Sequence, residues 1–209
     1  MPLICVAVRP TMKYRGRFKE CLINPTVEQS FDRDPVSFFS FYLSGRVNVL
    51  CAFAEEVIEN LDRGFSSESI DSGSVERAES LMWLWLLGAY EIVRTMHQAK
   101  HCFNGRVASD IGNLKDLLAE VRMPAAKMEK RGRKVPVTSN RSPSGWDAQN
   151  HDLLLNDPEE SKAISARHVL AEFDRVLCSI TKADVLSTHE MSYKGGPSKS
   201  FKRTPEGAA

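Results

Sequence analysis

Leu81-Met82-Trp83-Leu84-Trp85-Leu86-Leu87-Gly88-Ala89-Tyr90-Glu91-Ile92-Val93-Arg94-Thr95-Met96 is apolar on every side of a helix until Glu91 and Arg94 interrupt it. A helix without a polar face must be surrounded, so this stretch is expected at the centre of a helical core. Its few charged groups then need partners inside the protein or a polar cavity beside them. The apolar part, 81–93, is shorter than the roughly 20 residues that cross a bilayer, and Glu91 and Arg94 sit within a turn of its end. It is read as core, and no membrane partner is expected.

Three other helical patterns flank it. The first begins at Asp34-Pro35, an N-cap followed by proline at the first helical position, and runs to Arg63-Gly64. Phe39, Leu43, Val47, Leu50, Ala54, Val57 and Leu61 recur there at steps of three and four, which makes one buried stripe. The central helix is expected to start at Ser74 and to fade near His101. A third pattern covers about 107–130, with Ile111, Leu114, Leu117, Leu118 and Val121 inward and Pro124 breaking or kinking it. The fourth starts at Asp157-Pro158-Glu159-Glu160, an N-cap, N1 proline and capping-box glutamate, and continues through Phe173 to Ile180.

These patterns give a mainly α fold, an antiparallel four-helix bundle with a long loop between helices three and four and a flexible C-terminal tail. The loop, 132–156, is rich in Lys, Arg, Ser, Asn and Pro. Its runs Lys134–Thr138 and Asp152–Leu155 could form a small β-hairpin, with Trp146 docking on the bundle. The alternative architecture is an irregular helical domain carrying a small β element. The chain of 209 residues, 42% hydrophobic and 26% charged, is long enough for one full core. It divides into an N-terminal extension, 1–33, a bundle domain, 34–186, and a disordered tail, 187–209.

The formal charge is +1, but it is uneven: 5 basic against 9 acidic residues over 35–104, and 9 against 6 over 105–156. The acidic bias belongs to the first two helices. Five scattered cysteines, Cys5, Cys21, Cys51, Cys102 and Cys178, show no zinc or redox spacing and are read as reduced structural thiols. With no signal-peptide core at the N-terminus, a cytoplasmic location is expected. No cofactor and no metal are expected. Phosphate-loop, dinucleotide, metalloprotease and nucleophile-elbow motifs are all missing.

Two groups carry possible chemistry. Glu91 and Arg94 share a helix face, as do Arg94, His97 and His101, so these four are the candidate catalytic set at the end of the core helix. The plainer reading is a Glu91–Arg94 ion pair with both histidines in solvent. The second group is basic: Arg122, Lys127, Arg131, Arg133 and Lys134, with Lys130 and Arg141 nearby. Such cations could neutralise phosphates, or simply complement a helix C-terminus.

Six residues separate Arg94 from His101, which is similar to the Arg-x(4 to 6)-His motif of the HEPN family of helical bundles. The resemblance implies Arg94 as a phosphate ligand, His101 as acid or base, and a ribonuclease site completed by dimerisation. It covers two residues, and Thr95 stands where the family often has Asn, Asp or His. From the residues themselves, the expected function is a non-enzymatic accessory factor acting through a protein partner or as a homo-oligomer. The alternative is a nucleic-acid-directed protein, either a binder using 122–141 or an HEPN-like RNase using Arg94 and His101.

Overall fold

The computed structural model of the chain describes residues 12–16, 23–127, 129, 132, 144–156 and 164–189. It is mainly helical, with α1 (Lys13–Gly16), α2 (Val27–Arg33), α3 (Pro35–Phe39), α4 (Phe41–Gly64), α5 (Ser72–Gln98), α6 (Gly105–Lys127) and α7 (Ala166–Ser179). One two-stranded antiparallel sheet pairs β1 (Gly145–Asp147) with β2 (Asp152–Leu154), placing Trp146 opposite Leu153. The Asp152–Leu155 half of the expected hairpin is therefore in place. Its other expected half, Lys134–Thr138, lies outside the described residues.

The expected first helix is broken at Ser40, whose extended backbone caps α4 through its hydroxyl, accepting the Leu43 N–H at 3.4 Å. Asp34 explains the break. Its carboxylate caps α3 and also accepts hydrogen bonds from Ser44 Oγ and, at 2.7 Å, from the Tyr14 hydroxyl. In one unbroken helix residues 34 and 44 would stand about 15 Å apart along the axis, so the Asp34–Ser44 contact requires the chain to turn. The stretch read as an extension thus supplies Met12 and fully buried Tyr14 to the core, and it carries α2 with a Thr26–Gln29 capping box.

The long helices pack in antiparallel pairs. Gly64 lies beneath Val75 and Gly88 beneath Leu50, so α4 and α5 run in opposite directions. His97 lies on Gly112, and the Trp83 indole donates to the Ala125 carbonyl, which sets α6 against α5 in the same sense. Arg167 reaches Asp62 at 2.7 Å, tying the start of α7 to the end of α4. Trp85 of α5 and Phe173 of α7 meet edge to face in the centre, with ring centroids 5.1 Å apart.

Four helix ends differ from expectation. Asp71, not Ser74, caps α5 by accepting the Ser74 N–H, and the helix stops at Gln98 before a 3-10 turn over Lys100–Cys102. Helix α6 continues through Pro124 to Lys127, so the proline does not end it. Helix α7 starts at Ala166, capped by Ser165 rather than by Asp157, which lies outside the described residues. Asp152 fixes that start, accepting the Leu153 and Arg167 backbone N–H groups and the Ser165 hydroxyl. Burial pushes the Asp152 carboxyl above its ordinary value, despite those donors.

After α7 the chain returns across the α5–α6 connection. Val185 bridges Phe103, and the Leu186 N–H donates to the Cys102 carbonyl at 2.8 Å. Asp184 anchors the return by accepting from Thr181, Asn104 and Arg106. His189 closes it against the edge of Phe39, 5.4 Å between centroids.

Helices α4 and α6 pack on α5, and α7 meets it where Phe173 reaches Trp85. Leu81, Met82, Trp85, Leu86, Ala89, Val93 and Met96 are buried, but among the described residues Trp83 and Leu84 are each left 47% exposed. No described helix is long and apolar enough to cross a membrane.

Candidate functional site

Glu91 projects from the outer surface of α5, where a turn of helix brings Arg94 to the same side. The Glu91 carboxylate accepts from Arg94 Nε at 3.0 Å and from Nη2 at 2.6 Å. Arg122 arrives from α6, with Nη2 3.8 Å from Glu91 and its guanidinium 4.8 Å above the Tyr90 ring. The antiparallel packing of α5 and α6 brings these residues together. One carboxylate therefore serves two guanidinium groups, and the Arg122 Nε is buried without a partner among the described residues.

The histidines do not join them. His97 lies between α5 and α6 over Gly112, and burial followed by the charges of Lys115 and Lys100 holds its pKa below the ordinary value. His101 is exposed in the 3-10 turn beyond the end of α5. The expected shared face of Arg94, His97 and His101 requires a helix that continues to 101, and α5 stops at Gln98. Lys127 is exposed at the end of α6, while Arg131, Arg133 and Lys134 lie outside the described residues, as do Lys130 and Arg141. His97 packs against α6, where the nearby Asp116 carboxylate opposes the effect of the two lysines.

A second feature adjoins Glu91. Tyr42, Val49, Phe53, Leu84, Gly88 and Ile92 line an open groove of about 460 Å³ between α4 and α5, with Arg46, Glu91 and Thr95 at one end. Its floor is Gly88, where a Cβ would stand 3.0 Å from Leu50 Cδ2. Tyr42 is 67% exposed at the end that carries Arg46, and Val49 and Leu84 are 47% exposed along the groove. Arg46 lies over the Tyr42 ring, 5.1 Å from its centroid, and donates through Nε to the Tyr42 hydroxyl at 3.2 Å.

The signal for this groove was present as a second periodicity. Tyr42, Arg46, Val49, Phe53 and Glu56 recur on α4 at steps of four and three, offset from the buried stripe, and Leu84, Gly88, Glu91 and Thr95 do so on α5. This second stripe mixes apolar and charged residues, so hydropathy alone does not set it apart from a solvated helix face.

No family model, curated protein or solved structure matches this chain. Among the described residues no three metal-ligating side chains come together. What the arrangement offers is an apolar groove with charged ends, and a carboxylate already shared by two arginines beside it.

Proposed function

We propose that the chain is a non-enzymatic, cytoplasmic accessory factor that acts through protein contacts, with its four long helices forming an antiparallel four-helix bundle. The observation that carries this reading is the set of exposed apolar side chains along the α4–α5 groove, Tyr42, Val49 and Leu84, with half-buried Phe53 beside them. Large apolar side chains gathered on one face, rather than scattered singly, are characteristic of protein interaction surfaces. Buried Cys51 and Cys102 fit a reducing compartment. The burial of Cys51, and then the nearby Asp174 charge, raises its thiol pKa, which suits packing rather than reactivity.

The nucleic-acid alternative draws less support from the same contacts. A phosphate would meet an arginine whose charge Glu91 already offsets through two hydrogen bonds, to Nε and Nη2. His101 stands in a separate turn. The deciding experiment combines two assays on purified chain. Intact RNA after incubation with and without divalent ions, together with protein association lost in Leu84→Asp, supports the reading. RNA cleavage lost in Arg94→Ala, or association indifferent to Leu84→Asp, overturns it.

A further inference from the structure

We infer that the α4–α5 groove is covered by a second copy of this chain, paired face to face about a two-fold axis. This rests on the protein-contact reading above and names the partner. The apolar centre of the face is formed by Val49, Phe53, Leu84 and Gly88. Its two ends carry opposite charges on opposite helices. At one end Arg46 of α4 stands near Glu91 of α5, both lining the groove; at the other Glu56 of α4 meets Arg77 of α5 at 3.8 Å.

That arrangement is self-complementary. A two-fold axis parallel to the helices lays α4 on the second copy's α5, so each Arg46 faces a Glu91 and each Glu56 faces an Arg77. An axis across the helices lays α4 on α4 and α5 on α5, so each Arg46 faces a Glu56 and each Glu91 faces an Arg77. Both orientations set unlike charges opposite each other, as an isologous interface requires. A partner of uniform charge would meet a like charge at one end of each helix.

From Tyr42 to Glu56 the α4 strip runs about 21 Å, and two adjacent helices are roughly 20 Å wide, a flat extent of about 420 Å² that corrugation and the flanking charged side chains enlarge toward the ~800 Å² per partner of a stable interface. The step-four, step-three spacing on both helices is the seam that paired helices use when they interlock.

The test is light scattering on the size-fractionated full chain at concentrations from about 1 to about 100 μM, with circular dichroism and a thermal melt confirming that each variant is folded. Wild type is expected at twice the 23.4 kDa chain mass. Leu84→Asp and Val49→Asp are expected at the single-chain mass, an effect on the order of 100-fold in dissociation constant. Arg46→Glu is expected to weaken pairing, and either Glu91→Arg or Glu56→Arg in the same chain to restore it, according to the axis. A wild type that stays a single chain throughout, a dimer that persists in both aspartate variants, or restoration by neither charge exchange overturns the inference. A single-chain wild type that still binds another protein in a Leu84-dependent manner overturns this inference alone. One that binds none overturns the protein-contact reading as well.

Discussion

The Tyr14 hydroxyl donates to Asp34 Oδ1 at 2.7 Å inside the core, joining a single turn of helix near the N-terminus to the cap of α3. Tyr14 is fully buried, and its backbone N–H donates to Asp174 of α7 at 3.0 Å. The N-terminal turn is thus an internal part of the fold. Tyr14→Phe keeps the ring and removes the donor to a buried carboxylate, so a loss of about 1–3 kcal/mol is expected. Urea unfolding monitored by circular dichroism measures it; an unchanged midpoint contradicts the assignment.

The Glu91–Arg94 pair is expected to contribute little to stability. Their side chains are 49% and 45% exposed, so solvent and salt screen the attraction. A double-mutant cycle with Glu91→Gln and Arg94→Ala should give a coupling energy of about 0–1 kcal/mol, falling further at high salt. A much larger, salt-insensitive coupling would mean that the pair is desolvated by something bound over it.

His97 supplies a pH signature. Its folded pKa lies below the ordinary 6.5 through burial, then Lys115 and Lys100. The unfolded chain therefore takes up this proton first as pH falls. This group's contribution is fully present above the ordinary histidine range, declines as pH drops through 6.5, and levels off below the folded pKa. An NMR titration should place the His97 midpoint below that ordinary value, and Lys115→Ala should raise it. A midpoint at or above the ordinary value contradicts the packing described.

Gly64 is needed where α4 meets α5. A Cβ there would stand 2.5 Å from Val75 Cγ2 and 3.3 Å from the Val75 backbone nitrogen. Val75 is fully buried and β-branched, so it has little room to yield. Gly64→Ala gains up to about 1 kcal/mol of helix propensity, and overpacking costs about 1–3 kcal/mol, so net destabilisation is expected. Gly88→Ala meets only the flexible end of Leu50 and should be tolerated better. Thermal melts of the two variants side by side provide the comparison.

The helical stripes were legible in the sequence because burial repeats at a fixed period, and Val47, Ala54, Val57, Leu61, Ile111 and Phe173 all lie in the core. The breaks were not. Ser40 ends a helix because Asp34 must reach Ser44 and Tyr14, and no local propensity encodes a bond between residues so far apart. The start of α7 was misplaced for the same reason, since Asp152 fixes Ser165 and Arg167 from the hairpin. The pairing of Glu91 with Arg94 could be read from helical spacing, but the arrival of Arg122 depends on the register between α5 and α6. The uniform apolarity of 81–90 suggests a helix enclosed on every side. Among the described residues it marks instead a helix whose apolar edge is exposed at Leu84.

That edge decides the account. Replacing Leu84 with a photoreactive amino acid and illuminating the full chain in the cells that make it captures whatever covers the groove. The account predicts a protein adduct, chain joined to chain through α4 or α5, from this position and not from exposed Glu120 on α6. Illumination that yields no protein adduct at Leu84, or an RNA adduct in its place, would contradict it.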